Sequence, residues 1–346
     1  MPANILHTLF GKTVVKSVYA QLGFEVENIC EQYRYIFSLG CQGPDIFYHS
    51  RMTRPVALEY GSLLHRRGFG NFAAALLKKT LPGKPENMTA LSMYALGFMT
   101  HAFLDRFCHP YIVYKSIPTP DKKACFKQFF SYEKAHGFLE RIIDVLMLEL
   151  LQGISVSSWK QNDLAKICAE PPPELTELLE QTLREIYPER TDKDTQLAQR
   201  ISNALQDCAE FYRLTDPEKT TLGNNKLDYR IPLAYIYPEK LPLHIDYLNL
   251  KHEKWYCPVC GVTVNIASFL EIYNNALETT KETLLQFTAP YIESGIFPSE
   301  KAALCIGNSG LSIQDENGNP CIPSKTEALP LEEALLQQKA LRKTKN

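Results

Sequence analysis

Apolar residues recur at helical spacing through most of the first 215 positions. Leu9, Phe10, Val14, Val15, Val18, Tyr19 and Leu22 form one stripe. Ile29, Tyr33, Ile36 and Phe37 form a second that stops at Gly40, so residues 10–38 predict two helices. A long amphipathic helix is predicted from about Arg54 to Lys79, with Leu58, Leu63, Leu64, Phe69, Phe72 and Leu76 on its apolar face. After the Pro82/Pro85 break another runs from about Met88 to Phe107. A loop from Pro118 to Asp121 then leads to a helix that carries His136 and Glu140 and ends near Gln152. Further helices are expected at 173–187, behind the Pro171-Pro172-Pro173 stop, at 193–214 and at 266–290. Strand signals are almost absent before residue 215, and the fold class implied is all-α.

The pattern changes between 215 and 262. Pro217, Pro232, Pro238 and Pro242, among Tyr-rich segments, predict a long irregular insert, and its aromatic content points to an ordered covering over a cleft. The organisation expected is a helical core over 1–214, the insert over 215–262, a helix over 263–292 completing the bundle, and an extension over 293–346. That extension has the turn residues for a short hairpin within 305–322 and a Lys-rich end, after Ala340, expected to fray.

With 346 residues, 45% hydrophobic and 22% charged, the chain can bury a sizeable core. A net charge of -2 gives no bulk attraction to nucleic acid or an anionic membrane, so a polyanion would have to be held locally. The opening lacks a charged region followed by an apolar run, and no segment reaches about 18 uninterrupted apolar residues. No secretory signal or transmembrane segment is therefore expected, and the chain reads as cytoplasmic. In that setting its ten cysteines are expected to be free thiols.

Strongly polar groups inside apolar helices carry the chemistry. In Gly97-Phe-Met-Thr-His101-Ala-Phe-Leu-Asp105-Arg-Phe-Cys-His109-Pro110, His101 and Asp105 are four residues apart, so a helix projects both from one face with Cβ atoms roughly 6 Å apart. His109 precedes Pro110, which disfavours helix at the residue before it, so His109 is expected to turn inward at the helix end. A lone His on an apolar face is ordinarily a hydrogen-bonded core residue. The same His/carboxylate spacing recurs as His136 and Glu140 on the next apolar run, with Asp144 one turn on. Two such helices face to face make a polynuclear metal site, whereas unpaired buried carboxylates would cost several kcal/mol. The loop Gly43-Pro44-Asp45-Ile46-Phe47-Tyr48-His49 can bend Asp45 into that site, although a loop Asp is commonly a turn residue. Cys257-Pro-Val-Cys260-Gly looks like half a zinc knuckle, but there is no second C-x-x-C, so two thiols in a turn are expected there.

Taken in order, Gly43-Pro44-Asp45, Leu-Leu-His65, Gly97-x-x-x-His101-x-x-x-Asp105-x-x-x-His109-Pro-Tyr and His136-x-x-x-Glu140-x-x-x-Asp144 resemble the zinc-dependent phospholipase C family, which is similar in fold to the S1/P1 nucleases. The motifs cover roughly residues 1–150, and Trp255-Tyr-Cys-Pro-Val-Cys-Gly looks like a W-x-x-P-x-x-G element of intracellular relatives. The resemblance implies a phospholipase C/P1 nuclease-like helical bundle holding two or three zinc ions. It places Asp45, His65, His101 and Asp105 on one ion, His109, His136 and Glu140 on another, and His7 with a bridging Asp105 on a third. Secreted members complete the third site with a processed N-terminal Trp; this chain begins Met-Pro without a cleavage signal, so that ion would be the weakest held. His49 is then a group near the ligands, facing substrate.

His and carboxylate ligands with open positions suit catalytic zinc, which makes hydroxide near neutral pH. The expected activity is phosphodiester hydrolysis of phospholipase C type by metal-bound hydroxide, with Asp45, by family resemblance, as ligand and as the group that orients or deprotonates the attacking water. The substrate expected is a phosphoester, phospholipids included. The competing readings are a non-catalytic metal-bound helical scaffold and an S1/P1-like nuclease, which the near-neutral charge disfavours.

Overall fold

A computed structural model describes residues 3–117, 132–221, 231–314, 319 and 321–343. It is 68% helical, and the strands among the described residues are two-residue segments, so the fold is all-α. The elements that build the site are α1 (Asn4–Gln21), α2 (Arg34–Cys41), α3 (Leu58–Arg66), α4 (Phe69–Thr80), α5 (Ala90–Ser116), α6 (Tyr132–Gln152), α7 (Leu197–Leu214) and α8 (Phe269–Ser294).

Helix α5 is the central column, about 40 Å long at 1.5 Å per residue. A reciprocal Thr89/Ser92 capping box fixes its start, and most of its side chains are buried on every face, as a helix surrounded by others requires. It packs against α1, α2, α4, α6 and α8, within one buried apolar cluster that extends from Leu6 to Ala334. The α2–α5 crossing is especially tight. A Cβ on Gly97 would fall 2.6 Å from the Phe37 carbonyl oxygen, and one on Gly40 would collide with the Tyr94 backbone.

Three expectations need correction. The first helix begins at Asn4 rather than near residue 10, so His7 lies inside it. The reason is tertiary: the Asp144 carboxylate, on α6, accepts hydrogen bonds from the Ile5 and Leu6 amides at 2.9 and 3.1 Å, satisfying the first turn of α1 from 138 and 139 residues away. The helix expected over 54–79 is two, divided at Gly68, whose left-handed backbone (φ 74°) breaks the run. Pro110 does not end α5, which continues to Ser116. Interior Pro costs roughly 3 kcal/mol, and burial of α5 on all sides overrides it. The last described helix is Leu331–Lys343, in which Gln338 donates to the Ile236 and Tyr237 carbonyls.

Within 215–262 the chain forms a short helix, Pro217–Thr221, a 3₁₀ turn, Leu233–Tyr235, and the strand Trp255–Tyr256, paired antiparallel with Val264–Asn265. Trp255 is buried edge-on against Tyr111 of α5. The loop expected at Pro118–Asp121 and the 315–318 part of the hairpin expected within 305–322 lie outside the described residues. Between Gly307 and Ile313 the chain is irregular and is clamped by Arg106, which donates to the carbonyls of Ile306, Gly307, Ser309 and Gly310 at 2.5–3.3 Å.

Candidate metal centre

Three groups of metal-competent side chains meet around α5: His7, His101 and Asp105; Asp45, His65 and His101; and His109, His136 and Glu140. In each, one ligand atom per residue lies within 4.8 Å of the others. All eight residues singled out from the sequence are therefore brought together. The grouping differs from the family-derived assignment in one respect: His101, rather than Asp105, belongs to two groups.

Local structure aims each ring. Gly43, at φ 54°, lies against His101, where a Cβ would come within 2.5 Å of the ring carbon Cγ; this close turn brings Asp45 toward the α5 histidines. The close α2–α5 crossing puts the Cys41 carbonyl 3.0 Å from His101 Nδ1. His65 Nδ1 lies 2.7 Å from the Gly61 carbonyl one turn earlier on α3, and His109 Nδ1 lies 2.6 Å from the Leu311 carbonyl. Since a carbonyl only accepts, each of these rings carries its proton on Nδ1 and leaves the Nε2 lone pair as a ligand atom.

Those lone pairs face carboxylate oxygens. His65 Nε2 is 3.0 Å from Asp45 Oδ1, His101 Nε2 is 3.2 Å from Asp105 Oδ2, and His7 Nε2 is 3.2 Å from Asp105 Oδ1. On α6, His136 Nε2 is 2.8 Å from Glu140 Oε1. Among the described residues, both His7 nitrogens, His101 Nε2, Asp45 Oδ1 and both Asp105 oxygens are buried without a hydrogen bond. Buried polar atoms are normally satisfied, and two lone pairs at 3 Å repel unless a cation lies between them. The donor set, imidazole nitrogen with carboxylate oxygen, is one that zinc takes. The residues present fit that ion.

The electrostatics agree. Burial opposes ionisation of Asp105, yet the neighbouring His101 and His109 hold its carboxyl well below the ordinary range. Burial lowers His7, helped by the nearby His101, and pushes His109 down to about 3. The Glu140 carboxyl is held down to about 2 although burial raises it, with His136 among the groups favouring its charge. His7 and His109 resist protonation and Asp105 and Glu140 resist neutralisation, which is the state a metal requires, whereas His101, although burial lowers it, is raised by the adjacent Asp105 carboxylate.

Asp45, His65, His109, His136 and Glu140 line a cavity of about 830 Å³, while His7, His101 and Asp105 are sealed beneath it. Its walls include His49, Phe211, Tyr212, Tyr235 and Tyr237. His49 reaches no metal group; it packs on Phe211 with ring centroids 4.2 Å apart. Asp144 does not touch Glu140's partner ring but caps α1, so it positions His7. Sequence reasoning missed the supporting contacts of Arg106 and Leu311, although Arg106 directly follows Asp105. A second cavity of about 590 Å³, at Trp255, Arg106 and Cys257, is lined by none of the eight residues. Cys257 and Cys260 are free thiols, and among the described residues no third ligand joins them as a metal group. No helix of the described residues is long and apolar enough to cross a membrane.

No curated protein and no solved structure is a significant match to the chain. Residues 7–191, more than half of the sequence, match the family described as zinc dependent phospholipase C, and this span contains all eight clustered residues. The chain belongs to the zinc-dependent phospholipase C family.

Proposed function

We propose that this chain is a metal-dependent phosphoric-ester hydrolase of phospholipase C type that cleaves a phosphodiester in the 830 Å³ cavity. The observation that carries this reading is the set of buried, unsatisfied imidazole and carboxylate atoms beneath and along one open cavity. His7, His101 and Asp105 would hold one ion, Asp45, His65 and His101 a second, and His109, His136 and Glu140 a third. Zinc, when bound, supplies Lewis acidity that polarises phosphoryl oxygens and acidifies water.

The chain's own residues do the rest. Asp45 is the carboxylate that is both grouped with His65 and exposed to the cavity, with 14% of its side chain accessible, so it orients the attacking water and takes its proton. Gly61, Cys41 and Leu311, through their carbonyls, fix the imidazoles and so avoid reorganisation during the reaction. The aromatic wall excludes water from the reacting diester.

The test is elemental analysis of the purified protein followed by assays on bis-p-nitrophenyl phosphate, phosphatidylcholine and single-stranded DNA. The expected result is two to three zinc equivalents and chelator-sensitive release of p-nitrophenol and diacylglycerol. Full metal occupancy without hydrolysis of any diester would make the chain a metal-bound scaffold; cleavage of DNA alone would make it a nuclease.

A further inference from the structure

Arg141 follows Glu140 on α6 and lines the same cavity, yet it is 92% removed from solvent, with 8% of its surface accessible. Its guanidinium carbon lies 5.6, 5.2 and 5.8 Å from the ring centroids of Phe211, Tyr235 and Tyr237. Nε donates to the Tyr235 carbonyl at 2.8 Å and Nη1 to the Gly137 carbonyl at 2.9 Å. Gly137 leaves room for this stack, since a Cβ there would approach Tyr235 at 3.2 Å and Nη1 at 3.6 Å. A buried guanidinium ordinarily has a carboxylate partner, because desolvating a charge is expensive.

Arg141 has none within ion-pair distance among the described residues. The neighbouring carboxylates are committed elsewhere. Glu140 faces His136, Asp45 faces His65, Asp144 accepts from Ile5, Leu6 and Tyr237, and Asp207 accepts from the Met52 and Thr53 amides and the Thr53 hydroxyl. Nη2 donates no hydrogen bond among the described residues and is not sealed from solvent. Two exposed arginines, Arg51 and Arg66, line the cavity as well, and neither forms an ion pair among the described residues. The rings already hold a cation, so the box they form favours an anionic over a cationic substituent.

We propose that Arg141 is a specificity-determining residue that receives, through Nη2, an anionic substituent of the substrate, so that the preferred phosphodiester carries a further phosphate on its headgroup. This rests on the hydrolase reading for the word substrate, but the preorganised anion site can be tested without turnover. A planar guanidinium held by two carbonyls and three rings meets phosphate oxygens with little loss of freedom, and the rim arginines steer such a polyanion inward.

The experiment titrates zinc-loaded protein calorimetrically with inositol 1,4-bisphosphate and inositol 1-phosphate. The second phosphate should tighten binding about 10- to 100-fold, as one hydrogen-bonded charge pair does. In Arg141→Gln the preference should shrink to within about 3-fold, with Arg141→Lys between the two. Equal wild-type affinities, or a preference retained in a folded, zinc-replete Arg141→Gln, would overturn the proposal. Should Arg141→Gln not fold, the wild-type ratio and Arg141→Lys decide it. Where turnover is present, kcat/KM for dihexanoyl phosphatidylinositol 4-phosphate against dihexanoyl phosphatidylcholine should fall with the same variants, and its deacylated form tells a lipid from a soluble diester. Failure of all hydrolysis with the binding preference intact would reject the hydrolase reading and keep the anion site.

Discussion

The His7–His101–Asp105 group and the His109–His136–Glu140 group use the same side-chain types in unlike surroundings. The first is a floor, 0–2% exposed and carried by α1 and α5. The second is a wall, with His136 and Glu140 side chains 16% and 10% exposed and in contact with the cavity. Asp105 stands among three histidines, at 3.2, 3.2 and 3.9 Å, whereas Glu140 has His136 at 2.8 Å. Water can replace a cation at the wall but not on the floor, where each unsatisfied buried group costs about 1–3 kcal/mol. In the proposed site the floor group ties its metal to the fold and the wall group faces the substrate, with the two tasks divided by depth.

Floor and wall should differ most in their response to loss of Asp105. Asp105→Asn removes the carboxylate of the floor group and the charge beside three imidazoles; it should release the floor ion, loosen the ion that shares His101, lower thermal stability, and reduce any hydrolysis by more than ~100-fold, beyond what loss of an outer-shell partner does. Elemental analysis with circular dichroism checks it. Loss of a single equivalent with unchanged melting would make floor and wall equivalent.

Glu140→Gln should have the intermediate effect. It should release one equivalent and leave the floor occupied and the melting temperature close to wild type, because the wall is open to water. Metal stoichiometry in parallel with the Asp105 variant tests this; collapse of the whole metal content would show that the groups bind as one unit.

The smallest effect is expected at His49, a cavity residue outside the metal groups. Burial against Phe211 pushes its imidazole down to about 4 from 6.5. The unfolded chain then takes up a proton below pH 6.5 while the folded chain resists until about pH 4, so stability present above 6.5 is lost as pH falls. His49→Phe keeps the ring packing and removes that titration. Urea unfolding of chelator-treated proteins at pH 7 and pH 4.5 should show wild type losing on the order of 2 kcal/mol more than the variant. Equal losses would mean that His49 is hydrated in the folded state.

Much of the all-α architecture was legible, because long buried helices leave a periodic apolar trace. The errors fall where a distant contact overrode a local rule. Pro110 reads as a stop, yet α5 passes through it under packing from five helices. Asn4 carries no local helix signal, yet Asp144 supplies the missing acceptors. Arg141 escaped notice because nothing in its own neighbourhood marks an arginine as unpaired; only the positions of Asp45, Asp144 and Asp207 do so.

The local pairs follow from helix geometry alone. A 3.6-residue repeat obliges His101 to share a helix face with Asp105, and His136 with Glu140, whatever surrounds them. The sequence also determined the residue types, and with them a chemistry of imidazole and carboxylate. Only the tertiary structure decided that His7, Asp45 and His65, far away along the chain, close on His101, and that Cys41, Gly61 and Leu311 turn each ring to present Nε2. Periodicity acts over one or two turns. The relative placement of helices is fixed instead by close approaches such as Gly40–Tyr94 and by a carboxylate on α6 that caps α1, interactions whose partners no local spacing can identify.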